Sequence, residues 1–279
     1  MKLIKPTSTL LTLIPVIAYF PVLIEIIKGF HIGGLNIIFL FISSALQPSV
    51  NQIVLKSAWE GLQITIATAL TSWVISMLIG IILGVLSTDL FWKNVTNFSY
   101  IGKLIKYSLA IPRSIHEVVW GLLLIQFLGL NIWVAIISIV IPYSALTARV
   151  ISEQLDGFDI KPLIAIRQTG SNIMSSSITI IIPKLIPLLS IYGSYRLECA
   201  IRGVTLLGIF GLGGIGTDLY LTLKSFEFKE MWTCLWMLWL VMILLEKFLR
   251  FIRSNLFTNI DLKNSILIAI SIFSLSISF

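Results

Sequence analysis

Residues 57–87 read SAWEGLQITIATALTSWVISMLIGIILGVLS, and this apolar run contains a single charged residue, Glu60. A helix crosses the hydrocarbon core of a bilayer with about 20 predominantly apolar residues. The run therefore predicts a membrane-spanning helix. Because the run is longer than one crossing needs, the helix is expected to tilt or to protrude from the bilayer.

The composition of the whole chain agrees with that run. Of the 279 residues, 57% are hydrophobic and 12% are charged, and the mean hydropathy is +0.99. A soluble domain carries about 25% charged residues, and disordered segments are poor in apolar residues. Cys199 and Cys234 both lie in apolar stretches, which excludes a disulfide framework. The chain is therefore predicted to be an integral membrane protein.

The apolar runs predict an all-α fold, a polytopic helical bundle of about six transmembrane helices that forms one domain over residues 1–279. The predicted spans are residues 10–28, 57–87, 107–129, 131–150, 184–210 and 231–250. Residues 35–46 are too short to cross and are expected at the outer interface or partly re-entrant. The tail at 265–279 either lies in the interface or forms a short further helix. No Walker A sequence is present, so ATP hydrolysis is not expected on this chain.

Basic residues predict the orientation. The chain holds 20 Lys and Arg against 13 Asp and Glu. With the N-terminus placed in the cytoplasm, 14 of the basic residues fall in cytoplasmic segments, 4 fall in outer segments and 2 lie within the fifth span. The positive-inside rule therefore predicts that both termini are cytoplasmic. The same rule explains the net charge of +7 without nucleic-acid binding.

The largest predicted cytoplasmic loop is residues 151–183, ISEQLDGFDIKPLIAIRQTGSNIMSSSITIIIP. Pro162 is typical of a first helical turn, and Gly170 is typical of a helix end that leads into a Ser-rich helix ending near Pro183. Apolar side chains rimmed by charge indicate an interface. The loop either packs on its own bundle or docks a soluble partner.

The fifth predicted span carries three charges. Each charged side chain costs about 2.5–3.5 kcal/mol at mid-membrane by insertion scales. Glu198 and Arg202 are four residues apart on one helical face, so they are expected to pair. Arg196 then remains as a surplus guanidinium, which suits transient binding of an oxyanion in a transport pathway. These three residues are the candidate pathway or substrate contacts, and structural pairing is the alternative.

The loop resembles the EAA loop of binding-protein-dependent ABC importer permeases. Ala165, Gly170, Ile180 and Pro183 stand at the spacing of that motif, and Ile164 occupies the place of its usual acidic residue. In that family the loop inserts into a cleft of the ATPase subunit. The resemblance implies that the following residues couple the chain to an ATPase: Glu153, Asp159, Ala165, Gly170 and Pro183.

Two further stretches resemble phosphonate-type permeases of the same superfamily: Tyr195–Gly216, YRLECAIRGVTLLGIFGLGGIG, and Ile111–Leu130, IPRSIHEVVWGLLLIQFLGL. The resemblance covers residues 56–253. Its GLGGIG-like end is shared with methionine and glycine-betaine permeases, whereas the Tyr-Arg-x-Glu-x-x-x-Arg portion points to phosphonate or a related oxyanion such as phosphite or phosphate. The glycines interpreted as structural, allowing a sharp bend or close packing, are Gly208, Gly211, Gly213, Gly214 and Gly216.

The resemblance implies the membrane subunit of a bacterial inner-membrane ABC importer. The implied partners are ATPase subunits that carry ATP and Mg²⁺, a periplasmic substrate-binding protein and a second permease copy, most simply in a homodimer. No cofactor, metal or catalytic site is expected on this chain. The alternatives are a permease for another small solute, such as methionine or glycine betaine, and an ion-coupled secondary transporter.

Two short motifs in the chain are only weak evidence for the binding sites that they resemble. Gly211, Gly213 and Gly216 spell the dinucleotide fingerprint, but a membrane span precedes them where that fingerprint requires a strand. His116-Glu117 does not begin a zinc site, because Trp120 stands where the second histidine would be needed. Glu117 is instead expected to form an ion pair with Arg113, one helical turn away.

Overall fold

The computed structural model describes residues 14–15, 17–25, 29, 34–89, 91–92, 100–157, 161–171 and 173–258. Within these ranges the chain forms helices and turns, which confirms the all-α prediction. The helices, in chain order, are α1 (Gly34–Ser44), α2 (Gln52–Leu86), α3 (Tyr100–Ser108), α4 (Ala110–Ser114), α5 (Glu117–Leu128), α6 (Ile132–Asp156), α7 (Lys161–Gln168), α8 (Ile173–Leu207), α9 (Ile215–Lys224) and α10 (Phe228–Thr258).

The chain divides into two compact units, residues 1–48 and 49–279. In the first unit, residues 17–25 are helical and α1 is an apolar helix of 11 residues. That length is too short to cross a bilayer, as expected for residues 35–46. Both ends of the predicted first span, residues 10–13 and 26–28, and the whole 265–279 tail lie outside the described residues.

The second unit is built around α2 and α6. At 1.5 Å per residue, the 35 residues of α2 extend over about 52 Å, well beyond one hydrocarbon core. The predicted overlong helix at 57–87 is confirmed. Small residues let the two helices approach closely: a Cβ on Gly84 would lie 2.7 Å from the Cβ of Ile151, and Ser72 and Ser76 are buried. Close packing of small residues is typical of helices in membranes.

The predicted span 107–129 contains a bend, and the predicted span 184–210 ends just before a second one. Residues 100–114 and α5 meet at 84°, and residues 185–212 and α9 meet at 57°. Among the described residues, α2 and α6 are each long and apolar enough to cross a membrane, and counting each bent pair as one span raises the number to four. The predicted sixth span, 231–250, lies within α10. The count of six stays a prediction.

The helix that leads into the fifth span is longer than the sequence suggested. The predicted end near Pro183 is wrong, because α8 runs without interruption from Ile173 to Leu207 through Pro183 and Pro187. Proline removes one backbone donor and strains the preceding turn, but helices in membranes accommodate it through their neighbours. The predicted loop at 151–183 therefore contains the end of α6, the short helix α7 and the first three turns of α8.

Candidate functional site

The predicted coupling residues lie at the end of the molecule formed by α6, α7 and the start of α8. Glu153 is in the last turns of α6, where its Oε1 accepts a hydrogen bond from Arg149 Nε at 2.6 Å. Ala165 is exposed on α7, and Pro183 lies within α8. Asp159 lies outside the described residues. The segment is thus a short helical hairpin with an exposed tip.

Gly170 forms the turn of this hairpin. Its φ is +88°, a left-handed conformation that most residues avoid. A Cβ placed there would have no atom within 4 Å, so the backbone conformation, not the available space, favours glycine. The Thr169 and Ser171 hydroxyls both donate to the Ile166 carbonyl, at 2.7 and 2.9 Å, and close the end of α7.

The five glycines form the bend between α8 and α9. Gly208 begins a wide, π-helical turn that ends at Leu212, and the next two residues, Gly213 and Gly214, lead into α9. Positive φ angles occur at Gly211, Gly213 and Gly214, at +85°, +94° and +82°. Gly216 packs against the Thr205 carbonyl and the Gly208 Cα, the latter 2.9 Å from the position of a Cβ. At this bend the backbone around Gly216 therefore packs directly against the backbone at Thr205 and Gly208, an arrangement called here the backbone crossing.

Hydrogen bonds fix this crossing in place. The Ile215 N–H donates to Thr65 Oγ1 of α2 at 3.0 Å, and Thr217 Oγ1 donates to the Gly208 carbonyl at 2.9 Å. Thr65 is fully buried and donates in turn to the Gly61 carbonyl at 2.9 Å. The turn is thus held to α2 as well as to α8.

The three charged residues of α8 do not form one cluster. Successive residues of a helix are turned by about 100°, so Arg196 lies roughly 160° from Glu198 and 120° from Arg202. Glu198 and Arg202 form the predicted ion pair. Among the ion pairs of the described residues, none involves Arg196. The surplus guanidinium expected from the sequence is present, but on another face of the helix.

Arg196 is enclosed by tyrosines. Its guanidinium carbon lies 5.1 Å from the ring centre of Tyr143 on α6, and 5.0 and 5.7 Å from those of Tyr192 and Tyr195 on α8 itself. The Arg196 Nε also donates to the Tyr192 hydroxyl at 2.6 Å. Cation–π contacts stabilise a cation without neutralising it. Tyr143 is buried whereas Tyr195 is exposed, so the cluster has a closed side and an open side.

Glu117 joins this cluster through Tyr143. Glu117 lies near Tyr143, and its Oε2 lies 3.5 Å from His116 Nε2. The predicted ion pair between Arg113 and Glu117 is wrong: Glu117 begins α5 at the 84° bend, which turns its side chain inward to 13% exposure. Sequence spacing alone missed Tyr143, because its partners are far from it in the chain.

The Glu198–Arg202 pair lies in a separate groove. This groove, about 710 Å³ in volume, runs between α8 and α10 and is mostly apolar, with Trp232, Trp236 and Trp239 along one wall. The side chains of Glu198 and Arg202 are 33% and 63% exposed. Pairing removes the net charge from this face, so the groove lacks the surplus cation that the tyrosine cluster retains.

Neither cluster has the composition of a metal site. Within the described residues there is no group of three His, Cys, Asp or Glu side chains placed to hold a metal ion. The tyrosine cluster instead offers a guanidinium and phenol groups, which donate hydrogen bonds, and one carboxylate, which accepts them. Such a set can bind an oxyanion.

Comparison with known proteins finds several related permeases. No family model matches the chain. The putative cryptic phosphonate transport system permease protein PhnE2 of Escherichia coli (strain K12) is 31% identical over 98 residues, which are 35% of this chain and 79% of that protein. The phosphite transport system permease protein PtxC of Stutzerimonas stutzeri is 22% identical over 51% of this chain and 52% of its own length. The phosphate-import permease protein PhnE of Mycolicibacterium smegmatis is 22% identical over 66% of this chain and 34% of its own length.

Solved structures show the same fold. An inward-facing crystal form of the MetNI methionine ABC transporter contains a chain that superposes with a TM-score of 0.67 at 19% identity, over 74% of this chain and 99% of that chain. A second crystal form of MetNI gives a TM-score of 0.58 at 19% identity, over 73% of this chain and 96% of that chain. At 19% identity, this similarity shows the fold alone.

Identity and coverage together decide the family. The match to the Escherichia coli relative spans most of that protein at 31% identity, whereas the chain matches only about half of the phosphite relative and a third of the phosphate relative. The helical fold and the apolar spans agree with a transmembrane subunit. The chain therefore belongs to the family of ABC importer permeases that includes the phosphonate transport permeases.

Proposed function

We propose that this permease subunit forms the translocation pathway for phosphonate or a related phosphorus oxyanion. The observation that carries the proposal is Arg196, a cation in the middle of a long helix that three tyrosine rings enclose and that no described carboxylate neutralises. An arginine in an apolar span is costly unless it has a function or a partner. An anion that passes the open, Tyr195 side of the cluster would supply transient compensation.

A phosphorus oxyanion is favoured over other solutes for two reasons. The related permeases of known name are described for phosphonate, phosphite and phosphate transport. A guanidinium with phenol donors beside it also suits a multivalent oxyanion, whose oxygens accept several hydrogen bonds at once. Methionine, the solute in the name of the structural neighbour, carries one carboxylate and one ammonium group, and the ammonium group would be repelled by Arg196.

The hairpin around Gly170 is the proposed docking element for an ATPase subunit. Its tip is exposed, and its turn is closed by the hydroxyls of Thr169 and Ser171. Energy for transport would come from that subunit, which would bind ATP and Mg²⁺, while this chain has no catalytic role. A substrate-binding protein would dock at the outer face, and a second copy of the chain would complete the pathway as a homodimer.

The decisive experiment measures the energy source and the substrate together. The chain is co-expressed with its candidate ATPase and binding protein in cells that lack other phosphonate uptake, and uptake of labelled methylphosphonate is recorded. We expect the ATPase to co-purify, and uptake to be lost when the ATPase is inactivated but retained when the proton gradient is collapsed. Uptake that follows the ion gradient and needs no ATPase would instead identify a secondary transporter.

Orientation is tested separately with a reporter enzyme that is active only outside the cytoplasm. The asymmetry of basic residues predicts that Asp159 lies inside and Lys224 outside. A fusion after Asp159 is therefore expected to be inactive, and a fusion after Lys224 is expected to be active. The opposite pattern would place the Gly170 hairpin outside, where an ATPase cannot reach it.

A further inference from the structure

We propose that Asp156 couples the Gly170 hairpin to the arm formed by α3 and α4, residues 100–114, so that movement of the hairpin reaches the 84° bend at the end of that arm. This inference rests on the proposed docking of an ATPase at the hairpin. It assigns a positioning role to a residue that is not among the predicted coupling residues.

Asp156 joins three elements of the fold. It is the last residue of α6, which forms the first side of the hairpin. Its Oδ1 accepts a hydrogen bond from the Asp89 N–H, just beyond the end of α2, at 3.1 Å. Its Oδ2 lies 3.2 Å from Lys106 Nζ on α3. The carboxylate therefore connects α6 both to the end of α2 and to α3, and these contacts are called here the junction.

The carboxylate of Asp156 depends on partners outside its own helix. It stands at the C-terminal end of α6, where the unpaired carbonyl groups form the negative pole of a helix. A negative side chain is unfavourable there, whereas the Lys106 ammonium group and the Asp89 N–H both stabilise it through charge-assisted hydrogen bonds. Asp156 thus contributes to the packing of separate elements rather than to the helix that carries it.

The same face of α3 contacts both α2 and α6. A Cβ on Gly102 would lie 3.1 Å from the Thr88 carbonyl oxygen and 3.0 Å from Trp92 Cδ1. Gly102 and Lys106 are four residues apart, so they are neighbours on one face of the helix. The close contact at Gly102 and the ion pair of Lys106 therefore hold α3 against the ends of both long helices.

The arm leads from the junction to the bend. Leu109, between α3 and α4, keeps helical backbone angles, with φ −69° and ψ −8°, so the two helices form one arm. Trp120 Nε1 of α5 donates to the Pro112 carbonyl of α4 at 3.2 Å, and this hydrogen bond crosses the 84° bend. Series of contacts of this kind carry energetic coupling between distant elements. A displacement of the hairpin would therefore act on α5 through Asp156 and the arm.

The ion pair is suited to coupling rather than to stability. The side chains of Lys106 and Asp156 are 35% and 28% exposed, and a partly exposed ion pair contributes little to folding. The two sides of the hairpin are held together independently by an apolar cluster of Ile151, Leu155 and Leu185. Loss of the ion pair should therefore leave the amount of protein nearly unchanged while it separates the hairpin from the arm.

Single cysteines report on the two ends of this series in the transporter assembled with its ATPase. The native cysteines are first replaced, in Cys199→Ser with Cys234→Ala. Ser114→Cys, exposed at the end of α4, reports on the bend, and Ala165→Cys, exposed on α7, reports on the ATPase contact. The rate at which a charged methanethiosulfonate reagent labels each cysteine is measured with and without a non-hydrolysable ATP analogue.

With the native junction, the nucleotide is expected to change the labelling rate of Ser114→Cys several-fold. Asp156→Asn keeps a hydrogen-bond acceptor but lacks the charge that holds Lys106, so most of this response should be lost. Lys106→Ala should have the same effect from the other side of the pair. The matched control is Lys56→Ala, which removes an ion pair with Glu60 within α2 alone, at 4.0 Å, and should keep the full response.

Exchange of the two charges separates coupling from a local structural role. Asp156→Lys alone should lack the response, whereas Asp156→Lys together with Lys106→Asp restores an ion pair between α6 and α3 and should recover most of it. In all of these variants the ATPase should still shield Ala165→Cys from the reagent, because the junction does not form the exposed tip of the hairpin.

Each failure has its own signature. If the ATPase does not shield Ala165→Cys with the native junction, the proposed docking fails. If Ala165→Cys is shielded but Ser114→Cys does not respond to nucleotide, or responds equally in every variant, this inference is overturned and the docking stands. Should Asp156→Asn fail to assemble, Lys106→Ala decides the inference, and failure of both to assemble would make the pair structural and overturn it.

Discussion

Two bends interrupt apolar helices in the part of the chain that the structure describes, and they differ in the residues that form them. The bend between α8 and α9 is made of glycines packed against backbone, with Gly208 and Gly216 in direct contact and Thr65 holding the turn. The bend at Ile115 and His116 instead carries the polar side chains of His116 and Glu117. The glycine bend fixes the position of α9, whereas the polar bend brings a carboxylate to the Arg196 cluster.

This difference predicts how each bend responds to substitution. A packed backbone crossing has no space for a new atom, so additions there should destabilise the fold. A polar bend should tolerate changes of volume, while changes of charge or hydrogen bonding should alter transport. The comparison extends to two further sites: α8, which carries the paired charges of Glu198 and Arg202, and the exposed Gly170 hairpin.

The largest effect is expected for Gly216→Ala. The new methyl group would collide with the Thr205 carbonyl and approach the Gly208 Cα, and overpacking of this kind costs about 1–3 kcal/mol or more. Extraction in mild detergent followed by size-exclusion chromatography should recover several-fold less monodisperse protein. The control is Gly211→Asn, where φ is also positive but the nearest atom of another residue, Leu130 Cδ2, is 3.7 Å from the Cβ position. Equal recovery of Gly216→Ala and wild type would contradict the packed bend.

Glu198→Ala should lower the amount of protein in the membrane by a smaller factor. The change leaves Arg202 unpaired in an apolar span, at a cost of about 2.5–3.5 kcal/mol by insertion scales. The matched control removes both charges, in Glu198→Ala with Arg202→Ala, and should restore most of the abundance. Quantitative immunoblotting of membranes measures both. If the double variant is no more abundant than the single one, the pair is not what stabilises this face.

Gly170→Asp is expected to leave the amount of protein unchanged and to lower transport several-fold. Asp and Asn tolerate the left-handed conformation better than most residues, and the position has space for a side chain. Gly170→Asn therefore keeps the turn without the added charge, and it should transport nearly normally. ATP hydrolysis that no longer responds to substrate in Gly170→Asp would locate the defect in coupling. Normal uptake by this variant would argue against a docking role for the hairpin.

The smallest effect is expected at the polar bend itself, for His116→Ala. The His116 Nδ1 caps α5 by accepting from the Val118 N–H at 3.4 Å, a long hydrogen bond, and the loss of such a cap costs about 0.5–2 kcal/mol. His116→Asn replaces the cap and should match wild type in thermal stability. A melting temperature of His116→Ala equal to that of wild type would show that the bend holds without its cap.

The sequence was sufficient for the features that depend on local composition. The length of apolar runs predicted α2 and most of α6, and the i,i+4 spacing predicted the pair between Glu198 and Arg202. The break at His116 falls in the largely polar run PRSIHE at residues 112–117, a signal that the predicted span 107–129 passed over. The 100° helical step between residues could have separated Arg196 from Glu198, since it depends on spacing alone.

The contact of Tyr143 with Arg196 could not be predicted from local sequence, whereas Tyr192 and Tyr195 are neighbours of Arg196 on α8 itself. Tyr143 lies on α6, more than fifty residues before Arg196, and only tertiary packing brings the two together. The same holds for Glu117, which the spacing rule assigned to Arg113 but the bend directs toward Tyr143. Long-range packing, which no periodicity encodes, therefore defines the candidate site.

The central claim is that Arg196 contacts the transported anion, and transport per molecule of Arg196→Gln tests it most directly. Methylphosphonate uptake is measured in cells that also express the ATPase and the binding protein, and is divided by the amount of permease in the membrane. Loss of a bidentate, charge-assisted contact should lower uptake per molecule by about tenfold or more. Arg196→Lys should give intermediate uptake, because lysine keeps the positive charge but lacks the planar guanidinium that binds two oxygens at once. Wild-type uptake per molecule in Arg196→Gln would contradict the claim and leave Arg196 with a structural role.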